Sequence, residues 1–416
     1  MRTALVAAAL LLVPAIAAGV APQPAATNGS SPLDTPVNSV AHLTLGETAT
    51  NGSGNATDPV NRTANTTARI TNQSLNVASA VSIGRADAAA RIERYAVAER
   101  LNRTDDSGAV LAESLNDLAG RVATLRADER ALHARYANGS IGAARFADGV
   151  ARLDARARRL DARLARIEGA VGQNDTLRDR VERLDRLLIG YDGPVRSRVL
   201  AAVRGTEGRF ALYAAGSGDG AVLSMINDSR YVREAARPDR RRASPAAFSI
   251  VGAGQRIAEL YPLASTLKIE GGISEGTAVR GLGDGTYEFR SDLPFGSLRS
   301  YLDGTTRDVF HEVQYRRFDR MDQPASTAST ANGTRLVVDR THVGGPLRIA
   351  TYNATDGEPV ARTVRIGHRR AETGPDGVAW TLMPSEPRVT VETVGPAGGV
   401  NVTVEPIPVT PLNGTS

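Results

Sequence analysis

The chain has 416 residues, 50 basic against 45 acidic side chains, no cysteine and only 4% aromatic residues. The missing cysteines exclude disulfides, thiolate nucleophiles, thiol redox chemistry and Cys-ligated zinc. A net charge of +5 and a pI near 9.7 would admit a nucleic-acid partner, but the arginines are interleaved with acids, apart from Arg237, Arg240, Arg241 and Arg242, and this patterning speaks against one.

Residues 1–21 carry Arg2, an apolar run from Ala4 to Ala21, and small residues suited to cleavage after Ala17, Ala18 or Ala21. This is the pattern of a secretory signal peptide. The alternative is a retained membrane anchor, since about 18 apolar residues approach spanning length. Pro14 and the high alanine content favour cleavage.

Residues 22–80 are rich in Pro, Gly, Asn, Thr and Ser and poor in large apolar side chains. Such a segment cannot bury enough surface to offset its ordering entropy, which predicts a disordered stalk. Its stretch 51–74 holds five Asn-x-Ser/Thr triplets. Across the chain, 14 of 17 asparagines head such a triplet: Asn28, Asn51, Asn55, Asn61, Asn65, Asn72, Asn102, Asn138, Asn174, Asn227, Asn332, Asn353, Asn401 and Asn413. With 59 Ser and Thr residues, random placement would give about two or three. The excess predicts a glycosylated stalk and an exported N-glycoprotein.

Helical periodicity follows over 85–190. A short segment runs from Arg85 to Asn102 with Ala89, Ile92, Ala96 and Leu101 on one face. Next, Leu111, Leu115, Leu118, Val122, Leu125, Leu132 and Tyr136 recur at spacings of three and four, with Glu129 in the missing place. The turn 138–140 breaks the run. Phe146, Val150, Leu153, Ala157, Leu160, Leu164, Ile167 and Val171 then form an a/d pattern that loses phase at 169–175 and resumes through Leu177 to Leu188. The expectation is an antiparallel helical hairpin bent at 138–140, with Leu118, Leu125 and Leu132 facing Leu153, Leu160 and Ile167 in reversed order, or a coiled coil that associates with a second chain. If continuous, the second run would extend about 70 Å. Its Arg-rich face reads as the solvated side of a helix, with acid-first pairs Asp154–Arg158, Asp179–Arg183 and Glu182–Arg186 each contributing about 0.2–0.5 kcal/mol. A second reading of the same face is a surface for acidic polysaccharide or lipid headgroups.

From 200 to 321 the period shortens to strands, with hairpin signals at GSGDG and GLGDG and one helix near 250–260, which predicts an α+β domain. A Ser/Thr/Ala linker spans 322–334. Short alternating strands separated by Gly, Pro and Asp turns then predict a small C-terminal β-sandwich over 335–409. The fold class is thus multidomain: helical hairpin or coiled coil, α+β domain, β-sandwich.

Within that last part, Gly357, Pro359, Val360, Thr373, Asp376, Gly377 and Pro384 form a "G-x-P-V" and "T-x-x-D-G" pattern. It resembles the Ig-like and carboxypeptidase-regulatory-like β-sandwiches of secreted proteins. That resemblance implies a structural or adhesive module and supplies no catalytic residues. The layout as a whole, with its leader, many sequons, single lysine and no cysteine, resembles surface proteins of haloarchaea, although it departs from their strongly acidic composition.

The search for chemistry is short. None of the five histidines lies in a zincin spacing; His311-Glu312 falls on a strand, which places the two on opposite faces, and His311 reads as a strand-surface residue. GAGQR at 252–256 lacks the rest of a nucleotide fingerprint, and no nucleophile elbow or P-loop occurs. Asp219, Asp284 and Asp303 could offer oxygens to Ca²⁺, but hairpin turns use the same Asp-Gly pairs. No catalytic residue, cofactor or metal site is expected. The sequence favours a non-catalytic cell-envelope glycoprotein, extracellular or on the cell surface, with a structural, spacer or adhesive role. Its expected partners are other envelope proteins or a second copy through the helices, with membrane contact only through a retained N-terminal segment. The alternative is an exported enzyme or accessory subunit acting in the middle domain near His311, Asp284 or Glu288.

Overall fold

The structure, a computed structural model, describes residues 64–70, 77–207, 210–242, 244, 248–261, 278–293, 295–321, 325–395 and 398–408, all within one compact unit. The expected leader, most of the expected stalk and the sequons at Asn28, Asn51, Asn55, Asn61, Asn72 and Asn413 lie outside the described residues. Among the described residues, no helix is long and apolar enough to cross a membrane.

The first element is a strand, β1 (Ala64–Ile70), inside the segment expected to be stalk. It pairs antiparallel with a strand far along the chain. Five helices follow: α1 (Val77–Asn102), α2 (Ser107–Ala137), α3 (Ala143–Val171), α4 (Asp175–Leu188) and α5 (Pro194–Val203). Asp106 starts α2 by accepting the Ala109 N–H at 2.9 Å, and Pro194 starts α5. Gly139 leaves α2 at φ +74°. The second apolar run is not continuous. Gly172 at φ +60° ends α3, and Asn174 caps α4, accepting the Leu177 N–H at 3.1 Å. The chain therefore folds into a bundle rather than a rod.

Helices α2 and α3 run antiparallel. Asp117 meets Arg163 at 2.7 Å, Asp128 pairs with Arg156, and Gly149 leaves room for the Leu132 side chain. The expected leucines all enter one core cluster. The expectation for α1 needs correction. Ala89, Ile92 and Ala96 are exposed, Ile92 at 72%. Instead α1 turns Ile83, Ala86, Ala90 and Val97 inward and fastens through Asp87 to Arg159 (2.7 Å) and through Glu93 to Arg163 (2.8 Å) and Arg121 (2.6 Å). A thin alanine stripe decides less than carboxylates facing arginines. The Arg-rich face of α3, expected to be solvated, is accordingly covered in part by α1.

The middle region is an eight-stranded antiparallel sheet. It contains β2 (Phe210–Gly216), β3 (Ala221–Asn227) and β4 (Arg230–Ala236), then α6 (Ile250–Leu260), then β5 (Ala278–Gly283), β6 (Thr286–Leu293), β7 (Gly296–Asp303) and β8 (Asp308–Arg317). The order is β1-β2-β3-β4-β8-β7-β6-β5, so the two halves join at β4–β8 and β1 supplies one edge. Leu212, Leu223 and Val232 face the helical core, whereas Tyr213, Val222 and Tyr231 face the other way. On that second side, α6 covers the β5–β8 half through Ala253, Ile257 and Tyr261. Burial on both faces explains why β2, β3, β4 and β8 are buried almost throughout, and why charged residues there must find partners inside.

The C-terminal part is a sandwich of two four-stranded sheets. One has order β14-β11-β10-β9, from β9 (Ala325–Ala331), β10 (Thr334–Arg340), β11 (Pro346–Asn353) and β14 (Val378–Leu382). The other has order β13-β12-β15-β16, from β12 (Thr363–Ile366), β13 (Arg369–Glu372), β15 (Val389–Val394) and β16 (Asn401–Val404). Residues 325–331, read as linker from composition, form β9, because pairing along β10 satisfies their backbone whatever their side chains. The sandwich docks on the β2–β4 half of the sheet. Trp380 stacks on Phe318 with centroids 4.0 Å apart, Leu382 joins the Tyr213 cluster, and Ser224 donates to the Gly344 carbonyl at 2.7 Å.

Trp380 is the sole tryptophan, so its fluorescence reports this junction. Phe318→Ala should red-shift its emission and lower stability by about 1–2 kcal/mol. An unchanged spectrum would mean that the stacked pair does not exist in solution.

Candidate functional site

A dense set of buried ionisable groups lies where α2 and α5 meet β4. Arg196 on α5 is 2% exposed. Its Nε donates to Glu234 at 2.6 Å and its Nη1 to Glu129 at 3.3 Å. Glu234 also accepts the Val195 and Arg196 backbone N–H groups at 3.2 and 3.3 Å, at the first turn of α5. Tyr191 donates to Glu129 at 2.7 Å. A Cβ on Gly193 would overlap the Glu234 carboxylate, so only glycine lets the chain pass there. Burial disfavours the Arg196 cation, but Glu234 and Glu129 more than reverse this and its pKa rises. Burial pushes the Glu234 carboxyl up while Arg196 pulls it back. Sequence reading missed Arg196 and Glu234. Glu129 left the one usable signal: an acid at a seam position demands a buried cation.

The three residues of the enzyme reading are not brought together around an open cleft. His311 is buried beside Gly190 and Tyr301, not on a strand surface, because β8 is central and covered on both faces. Asp284 sits in the β5–β6 turn and receives Arg186 at 2.7 Å. Glu288 is held by Arg299 at 2.6 Å, Arg290 at 2.9 Å and Tyr301 at 3.1 Å, and the two arginines and Tyr301 outweigh burial to lower its pKa. On the opposite face of the sheet, Glu312 takes Arg233 at 2.6 Å, Gln314 at 2.7 Å and the Tyr261 hydroxyl. Arg241, from the one run of clustered arginines, is buried against Phe310 and donates to the carbonyls of Arg186, Leu187 and Ile189, which closes the C-terminal end of α4. Asp303 caps its own turn by accepting from Thr305 and Thr306. Asp219 and Asp284 likewise lie at hairpin turns. Among the described residues, no three His, Asp or Glu side chains converge as metal ligands.

Asp154 is fully buried, with Arg158 at 3.0 Å, and Arg186 reaches Glu182 at 3.4 Å, whereas Arg183 turns to Asp284 at 3.6 Å. Of the sequon asparagines with described side chains, Asn102, Asn138, Asn174, Asn332 and Asn401 are exposed and Asn227 and Asn353 are half-buried. They sit at helix ends and turns or at strand ends. Asn65 lies on β1.

The sequence matches the Domain of unknown function DUF7096 over residues 1–208, half of the chain. The chain belongs to the DUF7096 family. Residues 212–322 match the Family of unknown function DUF7094, and residues 325–402 match the Archaeal fibronectin-III type-like domain. No match was found among curated proteins. The third match begins at the first residue of β9 and gives the Ig-like resemblance its type. In that domain Thr351 and Thr373, from the expected motif region, share a hydroxyl contact at 3.0 Å, and Gly357 and Gly377 turn at φ +78° and +69°. The DUF7096 part supplies Glu129 and Arg196, and the DUF7094 part supplies Glu234, so the buried cluster ties the two together.

Arg196→Met strands two buried carboxylates and should cost about 3–5 kcal/mol in urea unfolding. Adding Glu129→Leu and Glu234→Leu should restore most of that loss. A triple variant no more stable than the single one would assign the cost to packing instead of charge.

Burial also pushes His133 down to about 4 and His311 to about 3, with Arg196 adding to the depression at both. An unfolded histidine titrates near 6.5, so the unfolded chain binds more protons below that pH. Stability should be fully present above pH 6.5 and fall as pH drops toward the folded values, by about 2 kcal/mol per histidine between pH 7 and 5. Unfolding curves of the wild type and of His133→Gln/His311→Gln at both pH values check this. Equal pH slopes would exclude the histidines as the cause.

Proposed function

We propose that the chain is a non-catalytic cell-envelope glycoprotein with a spacer or adhesive role, in which the residues between the leader and β1 act as a sugar-bearing stalk and the fibronectin-type sandwich is the contact module. The observation that carries this reading is the placement of the sequons. Fourteen are spread over the chain, and none of the seven with a described side chain is buried. At Asn138 and Asn174 the Oδ1 atom accepts a backbone N–H from Ser140 and Leu177, and among the described residues no hydrogen bond engages the Nδ2 that would carry the sugar. The apolar run at residues 4–21 supports export, and retention of that run would anchor the protein at the cell surface. The layout supports a haloarchaeal source. Ile92 and Tyr95, 72% and 78% exposed on α1, support association with another envelope protein or a second copy. The buried acids and histidines pair with or pack against neighbouring side chains, which favours a structural over a catalytic role for them.

The intact mass of the protein recovered from the cell surface of its native host should exceed the 43.8 kDa polypeptide less its leader. Peptide mapping should find Asn138 and Asn174 among the occupied sites. A mass equal to the bare chain would overturn the glycoprotein reading.

A further inference from the structure

Helices α1 and α3, with Leu111 and Arg121 of α2 and Arg204 after α5, line a half-open groove of about 1080 Å³. Along its middle, α1 turns the small side chains of Ala86 and Ala90 toward the bundle, and the ion pairs of Asp87 and Glu93 hold it there. The lining has two chemical characters. Its floor is apolar, formed by Ala90, Val97, Leu101, Leu111, Leu160 and Ile167. Around that floor stand nine arginines against two carboxylates, Asp87 and Glu93. Six of the arginines are used in ion pairs: Arg121, Arg156, Arg158, Arg159, Arg163 and Arg204. The other three, Arg91, Arg94 and Arg166, have no ion pair among the described residues, and the buried Nε of Arg163 has no hydrogen-bond partner.

Three guanidinium groups without an ion pair stand at one cavity, Arg94 half-buried and Arg91 and Arg166 exposed at its mouth, and an anion bound there would gain their attraction without displacing an existing partner. Their planar forks match phosphate oxygens in a two-point contact. An inorganic anion would leave the apolar floor unfilled, and a neutral apolar molecule would leave the charge uncompensated. The volume is near the upper end of pockets that enclose a small ligand, roughly 300–1,000 Å³. We propose that this groove binds an anionic single-chain amphiphile, with its phosphate head on Arg91, Arg94 and Arg166 and its chain along Val97, Leu101 and Ile167. The site lies on the helical bundle, away from the sandwich, and does not depend on the glycoprotein reading.

Titration calorimetry on the full chain tests this with three probes: dodecanoyl lysophosphatidic acid below its micelle concentration, inorganic phosphate, and monododecanoylglycerol. The lysophosphatidic acid should bind at least tenfold more tightly than either of the others. Arg91→Gln/Arg94→Gln/Arg166→Gln should weaken it at least tenfold, whereas Arg145→Gln/Arg152→Gln, exposed on α3 outside the cavity lining, should leave it unchanged. Ala90→Phe keeps every charge and fills the floor, and should also weaken it at least tenfold. Circular dichroism verifies that each variant is folded. Equal binding of inorganic phosphate, equal binding of the uncharged glyceride, equal loss in the Arg145/Arg152 variant, or full binding by Ala90→Phe would each overturn the proposal.

Discussion

The buried pairing of Arg196 with Glu234 and Glu129 holds this architecture in register. It joins the helices to the sheet at the point where the two halves of the sheet meet. Glu234 lies on β4, the strand that pairs with β8, and Arg196 lies on the short helix that packs over it. A charge buried without its partner is far more costly than the paired arrangement is stabilising. The pairing therefore acts as a constraint on alternatives more than as a store of stability. Any slip of α5 along the bundle, or of β4 by one residue, would strand at least one charge.

A sheet covered on both faces creates that situation. Helices lie on one side, and α6 and the sandwich lie on the other, so side chains of both parities along β4 and β8 leave water. The chain places Arg233, Glu234, His311, Glu312 and Gln314 there; the two acids, Arg233 and Gln314 find hydrogen-bond partners inside, and the His311 ring packs against Tyr301. The protein has no disulfides and few aromatic residues, so it holds its parts together by aliphatic packing plus these internal polar contacts. The same contrast shapes the bundle: α2, α3 and α4 share a leucine-rich core, while α1 is fastened by ion pairs at its rim and lines a half-open groove.

Much of the architecture was legible in the residues. The seam of α2 and α3, the break at 138–140, the hairpins at GSGDG and GLGDG and the alternation in the sandwich are local patterns, and local patterns survive without tertiary information. Less was visible where small side chains carry little information. Alanine favours no face strongly, so the orientation of α1 was set by which of its acids could reach Arg159 and Arg163. The Ser/Thr/Ala composition of 325–331 gave no sign of a strand, because backbone pairing to β10 does not depend on it. The amphiphile groove was equally hidden: its arginines come from several helices, and only their spatial excess over carboxylates marks it.

The sequence by itself determined the class of each part, the absence of thiol chemistry and the 14 sequon positions, because these depend on residue type and short-range spacing. It also placed Glu129 in an apolar seam, although not its partner. Only the tertiary structure decided that His311 is buried, that α4 folds back, that β1 completes a sheet more than 140 residues ahead of it, and that Arg196 answers Glu129 and Glu234. Each of these is a pairing between groups distant in sequence. The identity of the partner is fixed by which surfaces exclude water together, and no local pattern encodes that.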